Sequence, residues 1–372
     1  MTSIIYVGMD VHTTNYTLCC YSMEDDRFFA EVQVEPDAKN ILKYLARIEK
    51  QQRRDCRIVC GYEAGCLGYS LYHQLHAHGI DCVILAPTTM MTKPGKRIKT
   101  DRRDARLISK CLAFHTYSPV YIPTEVDDAV KEYIRMRDDA NSALARVKQQ
   151  IIAFCIRHGK IHDGKSYWTN KHLEWLSSLD LGNKILSEVL QEYLIRYYQL
   201  REQVDMYDMR INELAQAEPY RQKVEKLGCF RGIAAHTALS FCVEVGDFRR
   251  FATAQQFASY LGLVPGECSS GDKQQYTGIT KAGNSHLRKL LVETAQVFGR
   301  SATKSGKSVA LKERQAKCDS LTVAYADKAN ARLKKKYFKI AMRSKVNIAK
   351  TAVAREMACF IWGMMTDNIS CA

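Results

Sequence analysis

Apolar positions change their spacing several times along this chain, and each spacing predicts a different kind of element. In the first ninety residues they fall in short dense runs: IIYVGMD (4–10), YTLCCYS (16–22), RFFAEVQV (27–34), RIVCGYE (57–63) and DCVILAP (81–87). These runs predict strands, the first three close enough together for an antiparallel meander. Helical spacing fills about 38–50 and 67–78, and another helix opens at Thr100. From Glu125 the pattern becomes a heptad seam: Val126, Val130, Tyr133, Arg137, Ala140, Leu144, Val147, Ile151 and Phe154, with only Arg137 out of character. A polar, glycine-containing stretch (159–184) leads to a second seam: Leu186, Leu190, Tyr193, Tyr197, Leu200, Val204, Tyr207, Ile211 and Leu214. Two such helices predict a long antiparallel hairpin, a coiled coil packed on itself or used for oligomerisation. After Leu227 the pattern is mainly helical, with a Gly-, Ser- and Thr-rich centre in 256–295.

These changes of texture divide the chain into 1–124 (α/β), 125–225 (hairpin), 226–300 (mainly α) and a basic helical tail, 301–372. Three strands, then helix–strand–helix–strand–helix, is the element order of the RNase H-like fold. In that order the first and fourth strands lie side by side.

Composition narrows the function. A net charge of +15 on 372 residues favours a polyanionic partner, and Ser301–Glu356 carries fifteen Lys or Arg against four acids. The fourteen cysteines are scattered singly apart from Cys19–Cys20, with no C-x-x-C. That argues for small apolar packing residues in a reducing cytoplasm and against a disulfide scaffold or zinc site. No signal peptide opens the chain, and the apolar run near Phe360 is too short to span a bilayer.

Two carboxylates stand out within the charge pattern. Thr92–Lys110 holds eight Lys or Arg and only two acids, Asp101 and Asp104, in KTDRRDA (99–105). At 100° per residue those acids fall on the face of Ala105, Ile108 and Leu112, while Arg102, Arg103, Arg106 and Lys110 point to solvent. Thr100 is placed to cap the helix. Two acids on a packing face repel each other and lose hydration, so they stay ionised only around a cation. Asp10 lies in GMDVH on the first strand and Glu63 in GYEAG at the end of the fourth. Asp10, Glu63, Asp101 and Asp104 can therefore converge as oxygen ligands for Mg²⁺, the arrangement used for phosphodiester chemistry. His12 shares the face of Asp10 and reads as a packing or hydrogen-bonding residue. Lys281 and Arg288 read as exposed cations, and Tyr62 as core.

GMDVH, GYEAG, KTDRRDA and the later GLVP…SSG…ITKAGNSHLRKLL resemble the transposases of the insertion sequence 110 family, including its 1111 branch. The resemblance covers roughly 4–115 and 226–295. It implies a RuvC-like amino-terminal domain whose D-E-D-D tetrad falls on Asp10, Glu63, Asp101 and Asp104. It also implies a mainly α carboxy-terminal transposase domain with a catalytic serine at Ser270, Ser269 being the neighbouring alternative. A bacterial or archaeal cytoplasmic recombinase is implied, guided by a structured RNA that pairs with donor and target DNA and working as a homo-oligomer, a dimer or tetramer. GIA at 232–234 departs from the family's glycine turn, which weakens a backbone-phosphate role there.

A serine beside a carboxylate–metal site has a chemical reason. Attack by the hydroxyl on phosphorus stores the phosphodiester energy as a phosphoserine until a new end arrives. Competing readings lack one part each. A Holliday-junction endonuclease has no use for the hairpin or the serine, and an actin- or sugar-kinase-fold ATPase needs D-x-G-G loops that the chain lacks. A catalytically dead nucleic-acid-binding protein has no need of an intact tetrad and serine.

Overall fold

The computed structural model describes residues 3–52, 56–65, 67–90, 100–267, 276–300 and 306–369. The chain divides into two compact units, Met1–Ile122 and Pro123–Ala372.

The first unit is a mixed sheet with helices on both faces. Strands β1 (Ser3–Val11), β2 (Tyr16–Ser22) and β3 (Arg27–Val34) form the meander. Helix α1 (Ala38–Gln51) leads to β4 (Cys56–Glu63), and α2 (Ser70–Ala77) leads to β5 (Asp81–Leu85). The strand order is β3-β2-β1-β4-β5, with β4 parallel to both β1 and β5. Side chains alternate between the two faces. Ile5, Val7 and Met9 of β1 meet Ile41, Leu45 and Ile48 of α1 in one core. Tyr6 faces the other way, towards Ile108 and Leu112 of α3 (Asp101–Ala113). Tyr62 is buried with the first set, as its position beside Glu63 predicts.

Two glycines let α3 lie close to this second face. Gly8 and Gly61 are partners across β1 and β4. A Cβ on Gly8 would sit 2.1 Å from Ala105 O, and one on Gly61 would sit 2.8 Å from Leu112 Cδ2. The cations of α3 lie at the surface, as the helical wheel predicts, and find partners there. Arg106 Nε bonds Glu31 Oε2 at 2.7 Å, Arg102 Nε approaches Glu31 Oε1 at 3.3 Å, and Lys110 lies over the rings of Tyr21 and Phe28. The helix crosses the meander, so its outer cations reach β3 and its neighbouring turn. Thr100 takes the N-cap position with extended backbone, but its side chain makes no capping bond.

The second unit is helical apart from a two-stranded ribbon. Helices α4 (Glu125–Arg157) and α6 (Lys184–Gln216) flank the short α5 (Asn170–Ser177). They run antiparallel, since Arg137 meets Asp208 while Phe154 meets Tyr193. Leu144, Val147, Ile151, Leu190, Tyr197 and Val204 share one core, so the seams pack on each other within the chain. Val126 lies outside that packing, 61% exposed. Arg137, the odd member of the seam, is matched by α6: its Nε and Nη2 bond Asp208 Oδ1 and Oδ2 at 2.7 and 2.9 Å.

The chain continues through α7 (Arg221–Gly228), α8 (Ala235–Val245), α9 (Ala254–Tyr260), β6 (Pro265–Glu267), β7 (Tyr276–Ile279) and α10 (Ser285–Arg300). It ends with α11 (Val309–Gln315), α12 (Ser320–Ala341) and α13 (Val346–Met365). Val130 and Ile134 of α4, Ile211 of α6, Phe241, Leu291, Leu333 and Met357 all enter one core. The root of the hairpin and residues 306–369 thus belong to the same packed body, and the described part of the basic segment is no appendage. Its apolar stripes, Ala326, Ala329 and Leu333 on α12 and Val353, Met357 and Ile361 on α13, are buried there. None of the described helices is long and apolar enough to cross a membrane.

Candidate active site

The candidate site of the first unit follows from matched steps of strand and helix. Two residues of a strand advance about 6.6 Å, and four residues of a helix about 6 Å. Gly8 lies against Ala105 and Ser109. One step further along β1 is Asp10, and one turn back along α3 are Asp101 and Asp104. The next step along β1 is His12, just past the strand end, where its N–H donates to Asn15 O at 3.0 Å and closes the turn into β2.

Asp10, His12 and Asp101 accordingly place one ligand atom each within 4.8 Å of one another. His12 Nε2 is 3.3 Å from Asp10 Oδ1. Burial raises the Asp10 carboxyl above its ordinary value; His12 opposes the shift, while Asp104 and Asp101 add to it. Asp104 is therefore close enough to repel Asp10, although it is not one of the three converging groups. Glu63 stands one residue beyond the last β1–β4 pair, Met9–Tyr62, on the α3 side of the sheet. It is exposed and also outside the converging three.

The donor set suits a divalent cation. Asp10 Oδ2 is buried without a hydrogen-bond partner, and so is Oγ1 of Thr17, directly across from Asp10 on β2. Buried oxygens are seldom left unmatched, and carboxylate oxygens are the ligands that Mg²⁺ and Mn²⁺ prefer. Asp10 and Asp101 would hold such an ion, with Asp104 and Glu63 beside them.

The second unit explains the later motifs. Gly262 and Gly283 both take positive φ, 64° and 75°, which L side chains rarely adopt. A Cβ at Gly262 would lie 2.1 Å from Ala282 O, and one at Gly283 would lie 2.0 Å from Tyr260 O. The GLVP and KAGN turns therefore interlock at the base of the β6–β7 ribbon. Arg288 is no free surface cation, since its Nη1 bonds Leu261 O at 2.9 Å and Ala282 O at 3.2 Å. Asn284 caps α10 by accepting from Leu287 N at 2.9 Å, and its amide donates to Glu244 Oε2 at 2.5 Å.

The family comparisons now bear on both parts. A transposase model, the DEDD type of IS110, matches residues 7–156, and the Transposase IS116/IS110/IS902 family model matches residues 225–314. The y4qE protein of Sinorhizobium fredii is 36% identical over 307 residues, 82% of this chain and 75% of the relative. The transposase for insertion sequence element IS1533 of Leptospira borgpetersenii is 32% identical over 340 residues, 90% of this chain and 95% of the relative. This chain belongs to the IS110 family of transposases. The transposase for IS1111A of Coxiella burnetii is a more distant relative, 26% identical over 268 residues, 68% of this chain and 71% of the relative.

Within this IS110-family chain, the proposed nucleophile Ser270 and its neighbour Ser269 lie outside the described residues, between β6 and β7 in sequence. Lys99, the first residue of KTDRRDA, lies outside them too.

The family motifs also carry an ionic cluster that the sequence reading missed. His286 Nε2 bonds Asp138 Oδ2 of α4 at 2.7 Å, and its Nδ1 bonds Glu244 Oε1 of α8. Asp138 Oδ1 also receives Arg137 Nη1 at 3.1 Å, with His236 Nε2 3.0 Å away. Burial alone would lower the His286 imidazole, but its bonds to Asp138 and Glu244 prevail and hold it up at about 9. Burial alone would raise Asp138; the nearby His236 and the bonds from His286 and Arg137 instead hold it well below the carboxylate range. Only the spacing of His286 from Asn284 hinted at this, since the partners come from helices 148 and 42 residues distant.

Proposed function

We propose that this transposase is an RNA-guided DNA recombinase with a RuvC-like carboxylate centre and a serine nucleophile. The observation that carries the reading is the convergence of Asp10 and Asp101 where α3 is drawn onto β1 by Gly8. The strand order β3-β2-β1-β4-β5 supports the RNase H-like assignment. Asp10, Glu63, Asp101 and Asp104 are the carboxylate set that would hold Mg²⁺. When bound, the divalent cation neutralises charge on the transferring phosphoryl group.

Ser270 attacks phosphorus, and a general base takes the hydroxyl proton. The bond from phosphorus to the departing DNA oxygen breaks, and that oxygen takes up the proton the base received from Ser270 and leaves as a hydroxyl strand end. A new end's hydroxyl then attacks the phosphoserine, releases the serine oxygen and restores its proton. Donor and target DNA, a structured guide RNA and a second copy of the chain complete the assembly, which works in the cytoplasm. The net charge of +15 suits both nucleic acids.

The test is capture of the covalent adduct. Purified protein with guide RNA, donor and target should yield a protein–DNA band on a denaturing gel. Ser270→Ala should remove it, and Asp101→Asn should lower cleavage at least about 10³-fold while leaving the circular dichroism unchanged. An adduct that persists in Ser270→Ala moves the nucleophile elsewhere, first to Ser269. Strand cutting without any adduct would instead mark a junction endonuclease.

A further inference from the structure

The carboxylate tetrad accounts for oxygen ligands only, yet the third group converging with Asp10 and Asp101 is the imidazole of His12. We propose that His12 Nε2 is a direct ligand of the divalent cation, so that the site is a mixed nitrogen–oxygen centre. This rests on the cation site proposed above and adds to it the identity of one ligand and the metal preference that follows.

Three observations point this way. The first is distance. In an octahedral site with bonds of about 2.1 Å, adjacent ligand atoms lie about 3.0 Å apart and opposite ones about 4.2 Å. Asp10 Oδ1 and His12 Nε2 are 3.3 Å apart, and all three ligand atoms fall within 4.8 Å. At 3.3 Å the pair stands at the long limit of a hydrogen bond, and an ion shared by both atoms fits the same separation.

The second is placement. His12 lies two residues after Asp10, and its backbone is fixed by the bond from its N–H to Asn15 O, so the imidazole stands over the site from a closed turn. Its side chain is 48% exposed, so packing does not account for its direction. The third is the unmatched polarity beneath it: Asp10 Oδ2 and Thr17 Oγ1 are both buried without a partner.

An imidazole ligand changes which ion the site favours. All-oxygen sites suit Mg²⁺, whereas nitrogen donors favour transition ions. With His12 coordinated, Mn²⁺ gains over Mg²⁺.

The test is pulsed electron paramagnetic resonance on the full-length protein loaded with Mn²⁺, alone and with duplex DNA. The expected result is nuclear modulation from a directly bound ¹⁴N, which becomes a ¹⁵N pattern when the protein is made with ¹⁵N-histidine. His12→Gln should abolish the nitrogen coupling and weaken Mn²⁺ binding by about tenfold or more, since even outer partners of metal ligands are worth about 10–100-fold. His12→Asp should restore binding with oxygen only and shift the preference towards Mg²⁺. Mn²⁺ bound in a manner that Asp10→Asn eliminates, but with no nitrogen coupling in the wild type, overturns the role of His12 and leaves the carboxylate site standing. Mn²⁺ binding that Asp10→Asn does not affect overturns the site itself. The labelled wild-type spectrum decides the point even where a variant fails to fold.

Discussion

At Gly8, one added methyl group would meet Ala105 O at 2.1 Å and Ser109 N at 2.4 Å, both backbone atoms of α3 that cannot swing aside. Glycine in a strand ordinarily costs about 0.5–1 kcal/mol against alanine, so Gly8→Ala would be a small gain if space allowed. The collision decides otherwise. Gly8→Ala should destabilise the first unit by about 3 kcal/mol, read as a lower urea midpoint, and should weaken Mn²⁺ binding by pushing Asp101 away from Asp10. Gly65→Ala is the matched control. It lies near the same sheet edge, and its added methyl would find nothing closer than Glu63 O at 3.8 Å. It should change stability by no more than about 0.5 kcal/mol. Equal losses in the two variants would show that the close approach of α3 does not position the site.

Elements of the second unit are tied by side chains as well as by apolar packing. His286 joins α10 to α4 through Asp138 and to α8 through Glu244, while Arg137 joins α4 to α6 through Asp208. The His286 imidazole is held at about 9, above the ordinary histidine value of 6.5. A group raised in the folded state gives its full stabilisation below the unfolded value and loses it as pH rises through the folded one. Thermal stability of this unit should therefore decline by several degrees between about pH 6.5 and pH 9. His286→Gln should start lower and stay flat across that window. A wild-type melting curve that does not move between those pH values would contradict the imidazolium bridge.

Across the whole molecule, the positive surplus is only partly available to nucleic acid. Lys336 bonds Glu356 Oε2 at 2.6 Å, Lys307 bonds Asp327 Oδ2 at 2.5 Å, and Arg314 bonds Gly228 O at 2.9 Å. Deleting 301–356 would therefore remove core helices along with charge. A cleaner probe neutralises exposed cations of α12 and the turn after it: Lys335, Lys339, Arg343 and Lys345 changed together to Gln. Each phosphate contact on duplex DNA contributes a slope of about −0.9 to log affinity against log salt. The quadruple variant should flatten that slope by up to about 3.6 and weaken all sequences alike. An unchanged slope would place the nucleic-acid surface elsewhere.

Much of this was legible from spacing alone. Short dense apolar runs gave every strand of the first unit, because central strands are dry on both faces, and the heptads gave both long helices, because burial of one face leaves its period in the residues. Asp10 and Asp101 could be paired because strand order and helix phase are both local patterns. The sequence also showed the interlocking motifs GLVP and KAGN, though not that two left-handed glycines are the reason for them. Four matters needed the fold. His12 carries no local sign of its direction, which the turn to Asn15 sets. The two candidate roles of the seams differ only in what they face, and Leu144 and Tyr197 are buried in one core within the chain. Residues 301–369 look like a cationic tail because charge dominates their composition, yet Ala326, Leu333 and Met357 form stripes that only α10 and the core make meaningful. The Asp138–His286–Glu244 bridge joins residues up to 148 positions apart, and no period encodes that distance. Local patterns record which face of an element is dry; which elements meet across that dryness is settled only when the chain closes on itself.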